Sequence, residues 1–162
     1  MWPFSRKAPT GGKSIRRRPS PLLPGRRRGK GGDGDSDARR LLGAGGEKLA
    51  GKFLKKLGCK ILATNYRCPS GEIDLIVLDR ATAKTIGAQT VVFVEVKTRS
   101  SGRFAAPQAA VNAAKQRQIK AAAGYYLRTH DTQGLATRFD IVAIVQPQGL
   151  EPTIEHIPSA FA

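Results

Sequence analysis

Cysteine is nearly absent from the 162-residue sequence: Cys59 and Cys68 are the only two, and neither sits in a Cys-x-x-Cys or Cys/His ligand spacing. That excludes a disulfide-built scaffold and a zinc ribbon, and two free thiols fit a reducing compartment. Aromatic residues are scarce at 6%, with a single Trp, so a core must come from aliphatic side chains. No stretch approaches the roughly 18 apolar residues of a membrane-spanning helix, and the N-terminus lacks the apolar segment of a secretory signal. We therefore expect a cytoplasmic protein without membrane association. Acids are few as well, since 12 Asp and Glu stand against 28 Lys and Arg for a net charge of +16. Such an excess says nothing about fold, but it favours a polyanionic partner such as nucleic acid or an anionic surface.

The charge is unevenly spread. The first forty residues carry 12 basic and 3 acidic groups, and the rest of the chain 16 and 9. Arg16, Arg17 and Arg18 are followed by Arg26, Arg27 and Arg28, with Pro3, Pro9, Pro19, Pro21 and Pro24 around them. Such a segment cannot bury enough apolar surface to offset its ordering entropy. Residues 1–43 are therefore expected to form a disordered basic tail, and 44–162 a single folded domain. Ten Lys and Arg with no acid in residues 1–32 also suit a targeting segment, although the prolines oppose an amphipathic helix.

Leu49, Ala50, Phe53, Leu54 and Leu57 recur at helical steps, and Gly58 supplies a stop. Ile61 and Leu62, Asn65 and Tyr66, a turn at residues 68–71 and the apolar run 73–78 then read as a hairpin. Residues 80–90 form a polar loop. Residues 91–97 are too rich in β-branched side chains for anything but a largely buried strand. Pro107 suits the first turn of a second helix reaching about Leu127, a strand follows over 139–145, and residues 154–157 add a short edge strand. The order α-β-β-β-α-β predicts an α/β fold with a mixed sheet, its third and fourth strands parallel across a helical crossover.

Ionisable residues inside buried strands need a reason. Glu95 and Lys97 lie at i and i+2 on one face of the third strand, and Asp74 interrupts the second. Two carboxylates and an ammonium on a sheet face make a site for a hard divalent cation, with the lysine placed to steady an anion or a water. The competing reading makes Glu95 and Lys97 a solvated ion pair and Asp74 a hairpin cap. Glu72 shares the parity of Asp74 and is either a secondary acid or a solvated residue beside the turn. Arg138 and Asp140 read as a structural ion pair, and His130 and His156 as surface residues.

The blocks Gly71-Glu72-Ile73-Asp74-Leu75-Ile76 and Val92-Phe93-Val94-Glu95-Val96-Lys97-Thr98-Arg99 resemble the PD-(D/E)xK nuclease signature. With Gly46-Glu47, Asn65-Tyr66-Arg67, Val111, Lys115 and Arg138-Phe139-Asp140, the run over about residues 45–146 resembles the YraN-like bacterial family of small nuclease-like proteins. Ile73 stands where the superfamily name has proline, but the acid is the ligand. The resemblance implies a restriction-endonuclease-like fold in which Asp74 and Glu95 ligate Mg²⁺ or Mn²⁺, the Val96 carbonyl adds a further oxygen, and Lys97 orients water or neutralises phosphate charge. Glu47, bordering the apolar face of the first helix, would complete the catalytic set, as in the helix acid of archaeal Holliday junction resolvases. Its alternative is an acid favoured near a helix start by the dipole.

The leading expectation is a metal-dependent endonuclease that hydrolyses DNA phosphodiester bonds, on branched or damaged DNA in recombination or repair. The alternative is a non-catalytic nucleic-acid-binding or adaptor protein that keeps the fold. Arg99, Lys115 and the tail arginines are the expected nucleic-acid contacts, although Lys115 also reads as a snorkelling surface lysine. A junction-cleaving enzyme would need a symmetric homodimer.

Overall fold

Along β-strands successive side chains face opposite ways, and here the two faces are filled by different residues of the same strands. The computed structural model describes residues 33–101 and 111–162. Its elements are α1 (Asp33–Lys56), β1 (Lys60–Cys68), β2 (Gly71–Asp79), α2 (Ala83–Ile86), β3 (Thr90–Arg99), α3 (Ala113–Thr129), β4 (Ala136–Val145) and β5 (Thr153–Phe161). The strands make one sheet in the order β1-β2-β3-β4-β5. All neighbours are antiparallel except β3 and β4, which run parallel across α3. This is the expected restriction-endonuclease-like α-β-β-β-α-β core, with β5 added at its edge.

Val91 and Phe93 of β3, Ile76 of β2 and Ile141 of β4 pack with Ile119, Ala122 and Tyr126 of α3. Val92 and Val94, Leu75 and Val77, and Val142 and Ile144 pack with Ala50 and Leu54 of α1. The two helices therefore cover opposite faces, and β3 is buried from Thr90 to Glu95. Each aliphatic side chain sealed in this way contributes about 1.5–3 kcal/mol, so the central strand is the most firmly held part of the domain.

Gly58 ends α1 as expected. It takes a left-handed φ of 87°, its N–H donates to the Lys55 carbonyl, and the next amide, of Cys59, reaches back to Leu54, both at 3.0 Å. This pairing satisfies the last helical carbonyls.

Three expected boundaries move. The first helix starts at Asp33 instead of near residue 44: no proline lies between Pro24 and Pro69, and the intervening glycines each weaken a helix by only about 1 kcal/mol. The second long helix begins at Ala113, after Asn112, whose side chain accepts a hydrogen bond from the Lys115 amide. That N-cap, and not Pro107, sets the start. The edge strand is also longer than expected, at nine residues, and a four-residue helix, α2, interrupts the loop after β2. The tail arginines Arg16, Arg17, Arg18, Arg26, Arg27 and Arg28, like Pro107, lie outside the described residues.

Candidate functional site

The site forms where two central strands part. β2 and β3 are paired from Asp79↔Thr90 to Leu75↔Val94, and the ladder stops there while β3 continues beside β4 to Arg99↔Val145. Asp74 and Glu95 are the next residues beyond the last pair. Alternation breaks at the same point, since Ile73 joins the α3-side core and Leu75 the α1-side core although two residues apart should share a face. In the gap the Val96 N–H donates to Asp74 Oδ2 at 2.7 Å.

β1 is distorted opposite the same place. Asn65, between the pairs Thr64↔Leu75 and Tyr66↔Ile73, has a φ of 50°, which asparagine tolerates better than most side chains. Its side-chain amide donates to Glu47 Oε2 at 2.7 Å. Glu47 is held over this end of the sheet because α1 lies tightly on β3 one residue earlier: a Cβ at Gly46 would collide with Thr98 Oγ1 and come within 3.0 Å of Thr98 Cβ.

Glu95 is the buried centre of the arrangement, with 3% of its side chain exposed. Lys97, on the same strand face, donates to Glu95 Oε1 at 2.8 Å. Lys115 Nζ, arriving from the first turn of α3, stands 3.4 Å from Oε2, yet that oxygen accepts no hydrogen bond. Asp74 is pushed up from 3.8 to about 6 by burial first and then by the charge of Glu95; the Val96 amide and Lys115 lower it, and Glu47 raises it further. Glu47, Asp74, Glu95, Lys97 and Lys115 thus sense one another in a single site.

The donor chemistry suits a hard cation. A buried carboxylate, Glu95, lies next to a half-buried one, Asp74, one oxygen of Glu95 lacks a hydrogen bond, and Asp74 resists ionising next to its neighbours. Oxygen ligands of this kind select Mg²⁺ or Mn²⁺ over softer metals. Among the described residues, however, no three His, Cys, Asp or Glu side chains converge closely enough to form a complete cage.

Other expected contacts fall differently. Lys115 is not a snorkelling surface lysine but a partner of Glu95, with 23% of its side chain exposed. Glu72 is solvated and pairs with Arg67 at 3.5 Å, so sequence parity does not bring it to Asp74 across the broken alternation. Arg99 sits at the exposed end of β3, its carbonyl accepting from the Gln146 amide at 2.8 Å. Asn65 belongs to the Asn65-Tyr66-Arg67 block of the family resemblance, but the sequence assigns it no role, although an asparagine inside a strand, where it is disfavoured, signals an irregularity. Both cysteines are free thiols.

A second polar cluster occupies the α1 side of the sheet. Asp140, fully buried, accepts from Arg138 Nε at 2.8 Å and Nη2 at 2.9 Å and from the Ser159 amide at 3.0 Å, and meets His156 Nε2 at 2.9 Å. Arg138 also reaches Asp79 at 3.2 Å. Burial alone would raise the Asp140 carboxyl, but hydrogen bonds from His156, Arg138 and Ser159 outweigh it and hold the group below its usual range. The expected ion pair is present. His156 is no surface residue, because β5 brings it onto Asp140, whereas His130 is exposed, its ring stacked on Tyr126 at 3.8 Å between centroids.

Residues 46–144 match the family described as "Uncharacterised protein family UPF0102". A UPF0102 protein of Geotalea daltonii is 47% identical over 130 residues, spanning 80% of this chain and 95% of the relative. One from Mycolicibacterium gilvum is 41% identical over 122 residues, 75% of this chain and 94% of its own length. One from Anaeromyxobacter dehalogenans is 40% identical over 131 residues, 81% and 91% respectively. The matched region spans the positions of Glu47, Asn65, Asp74, Glu95, Lys97 and Lys115, and the chain belongs to the UPF0102 (YraN-like) family.

Proposed function

We propose that this chain is a metal-dependent nuclease that hydrolyses phosphodiester bonds in DNA, acting in the cytoplasm on branched or damaged DNA during recombination or repair. The observation that carries this reading is a buried Glu95 beside Asp74, with one oxygen lacking a hydrogen bond and Lys97 on the other. Asp74 and Glu95 would hold Mg²⁺ or Mn²⁺, with Val96 offering its carbonyl and Glu47 a third carboxylate over the sheet end. A divalent ion there supplies Lewis acidity and lowers the pKa of water. Lys97 keeps an ammonium where negative charge gathers on phosphorus, and Asn65 fixes the direction of Glu47. A net charge of +16 draws the polyanion in, through Arg99, Lys115 and the tail arginines. Action on a four-way junction would call for a homodimer with two such sites.

A second reading rests on one observation. Both Glu95 oxygens face lysines, as in a nucleic-acid-binding protein that keeps the fold without turnover.

Cleavage by the full-length chain with Mg²⁺ or Mn²⁺, tested on single-stranded, duplex, flapped and four-way DNA, separates the two. The nuclease reading expects cutting of at least one substrate. It also expects Lys97→Ala to lower the rate by about 10²–10³, the usual worth of one group that stabilises transition-state charge, with metal and DNA binding largely kept. No cleavage of any substrate, with Lys97→Ala only easier to unfold and rescued by Glu95→Gln, overturns it in favour of the binding protein.

A further inference from the structure

Glu95 is a buried acid with two cations of unequal standing. Lys97 is hydrogen-bonded to Oε1 at 2.8 Å. Lys115 is 3.4 Å from Oε2 and makes no hydrogen bond to it. A buried carboxylate stripped of one partner is strongly destabilised, so the second ammonium neutralises charge that a divalent ion would otherwise neutralise. Its position is not one that the helix favours. Lys115 lies in the first turn of α3, after the Asn112 cap, where the helix dipole repels a cation. The pull of Glu95 is therefore what holds the side chain inward.

We infer that Lys115 is an internal counter-ion that stands in for a divalent cation on Glu95 and is released to a phosphate of nucleic acid, so that metal and nucleic acid bind cooperatively. This rests on the nuclease reading and adds to it how the site is switched. An ammonium and a dication cannot share Oε2, because like charges a few ångströms apart repel strongly in a partly buried site. Lys115 has the means to leave, since a lysine is a point charge on a flexible four-carbon stem and this one is already 23% exposed. A phosphate arriving at the site offers the ammonium a new anion at the moment Glu95 is freed. Until substrate arrives, Lys115 and Lys97 hold Glu95 between them.

The test is a calorimetric titration of the full-length chain and of Lys115→Met with Mn²⁺ alone. It is paired with the affinity of both proteins for a labelled DNA duplex, measured by anisotropy in chelator and again in Ca²⁺, chosen to limit turnover. Lys115→Met should bind Mn²⁺ about tenfold or more tightly than the wild type, within the usual range of coupling between sites. Wild-type affinity for the duplex should rise by a similar factor in Ca²⁺, because coupling is reciprocal, and Lys115→Met should lose most of that gain. A purely structural lysine would instead weaken Mn²⁺ binding or leave it unchanged on substitution, and either result overturns the inference while the nuclease reading stands. If Lys115→Met does not fold, the wild-type arm decides alone: duplex affinity that is the same in chelator and Ca²⁺ refutes the coupling. Absence of Mn²⁺ binding in both proteins removes the metal site itself, and the inference with it.

Discussion

A carboxylic acid buried beside other acids holds its proton longer than one in water, and Asp74 is such a group, pushed from 3.8 to about 6 by burial and by Glu95. Below pH 3.8 it is protonated in the folded and the unfolded chain alike. Between 3.8 and about 6 the unfolded chain releases the proton and the folded one keeps it, so stability falls as pH rises through this window. The loss levels off above about 6, at a magnitude on the order of 3 kcal/mol. Denaturant midpoints measured in chelator from about pH 4 to about pH 7 should therefore show Asp74→Asn gaining on the wild type as pH rises. Mn²⁺ should remove much of that gain, since a bound dication favours the ionised carboxylate. A pH-independent difference between the two proteins would mean that Asp74 ionises normally. Asp140 does not confuse the measurement, because its carboxyl is held low and its stabilisation is lost only as pH falls below the usual carboxylate range.

Helix α1 contributes its acid through a close approach, which is a property of the whole element. Gly46 must lack a side chain for α1 to lie on Thr98, and Glu47 follows directly. Gly46→Ala should force the helix off β3, costing about 1–3 kcal/mol as overpacking does, and weaken Mn²⁺ binding by moving Glu47 away from Asn65. Gly51, in the same helix, has nothing within 4 Å of an added Cβ. Gly51→Ala should stabilise by up to about 1 kcal/mol with Mn²⁺ binding unchanged. Thermal melting and metal titration of the pair check this, and equal effects at both positions would show that Gly46 is not a contact point. Much at this scale was legible in the sequence. The hairpin, the buried strand β3 and the parallel crossover follow from β-branched runs, a Pro-Ser-Gly turn and helical spacing. The starts of α1 and α3 were not, because a helix extends until something stops it and the Asn112 cap is a side-chain geometry. Parity also failed at Glu72, since period 2 holds only while a strand stays regular. The contacts Asn65–Glu47, Lys115–Glu95 and His156–Asp140 join residues 18, 20 and 16 positions apart, and only the fold brings them together.

At the scale of the molecule a small acidic site is set in a strongly basic chain, a combination suited to gathering a polyanion around a cation-dependent centre. The sequence made the charge plain, but net charge cannot tell positioning contacts from chemistry. Residues 1–32 hold ten Lys and Arg and no acid, and every element of the described fold lies beyond them, α1 beginning at Asp33. Each phosphate neutralised on duplex DNA contributes about 0.9 to the slope of log K against log salt. If these cations engage DNA, deleting residues 1–32 should flatten that slope by several units and weaken binding equally for unrelated sequences. Cleavage per bound complex should stay the same, because Asp74, Glu95 and Lys97 are untouched. Binding isotherms of the full and shortened chains across a salt series make the comparison, and slopes that coincide would assign the N-terminal cations to spacing or targeting instead of to DNA.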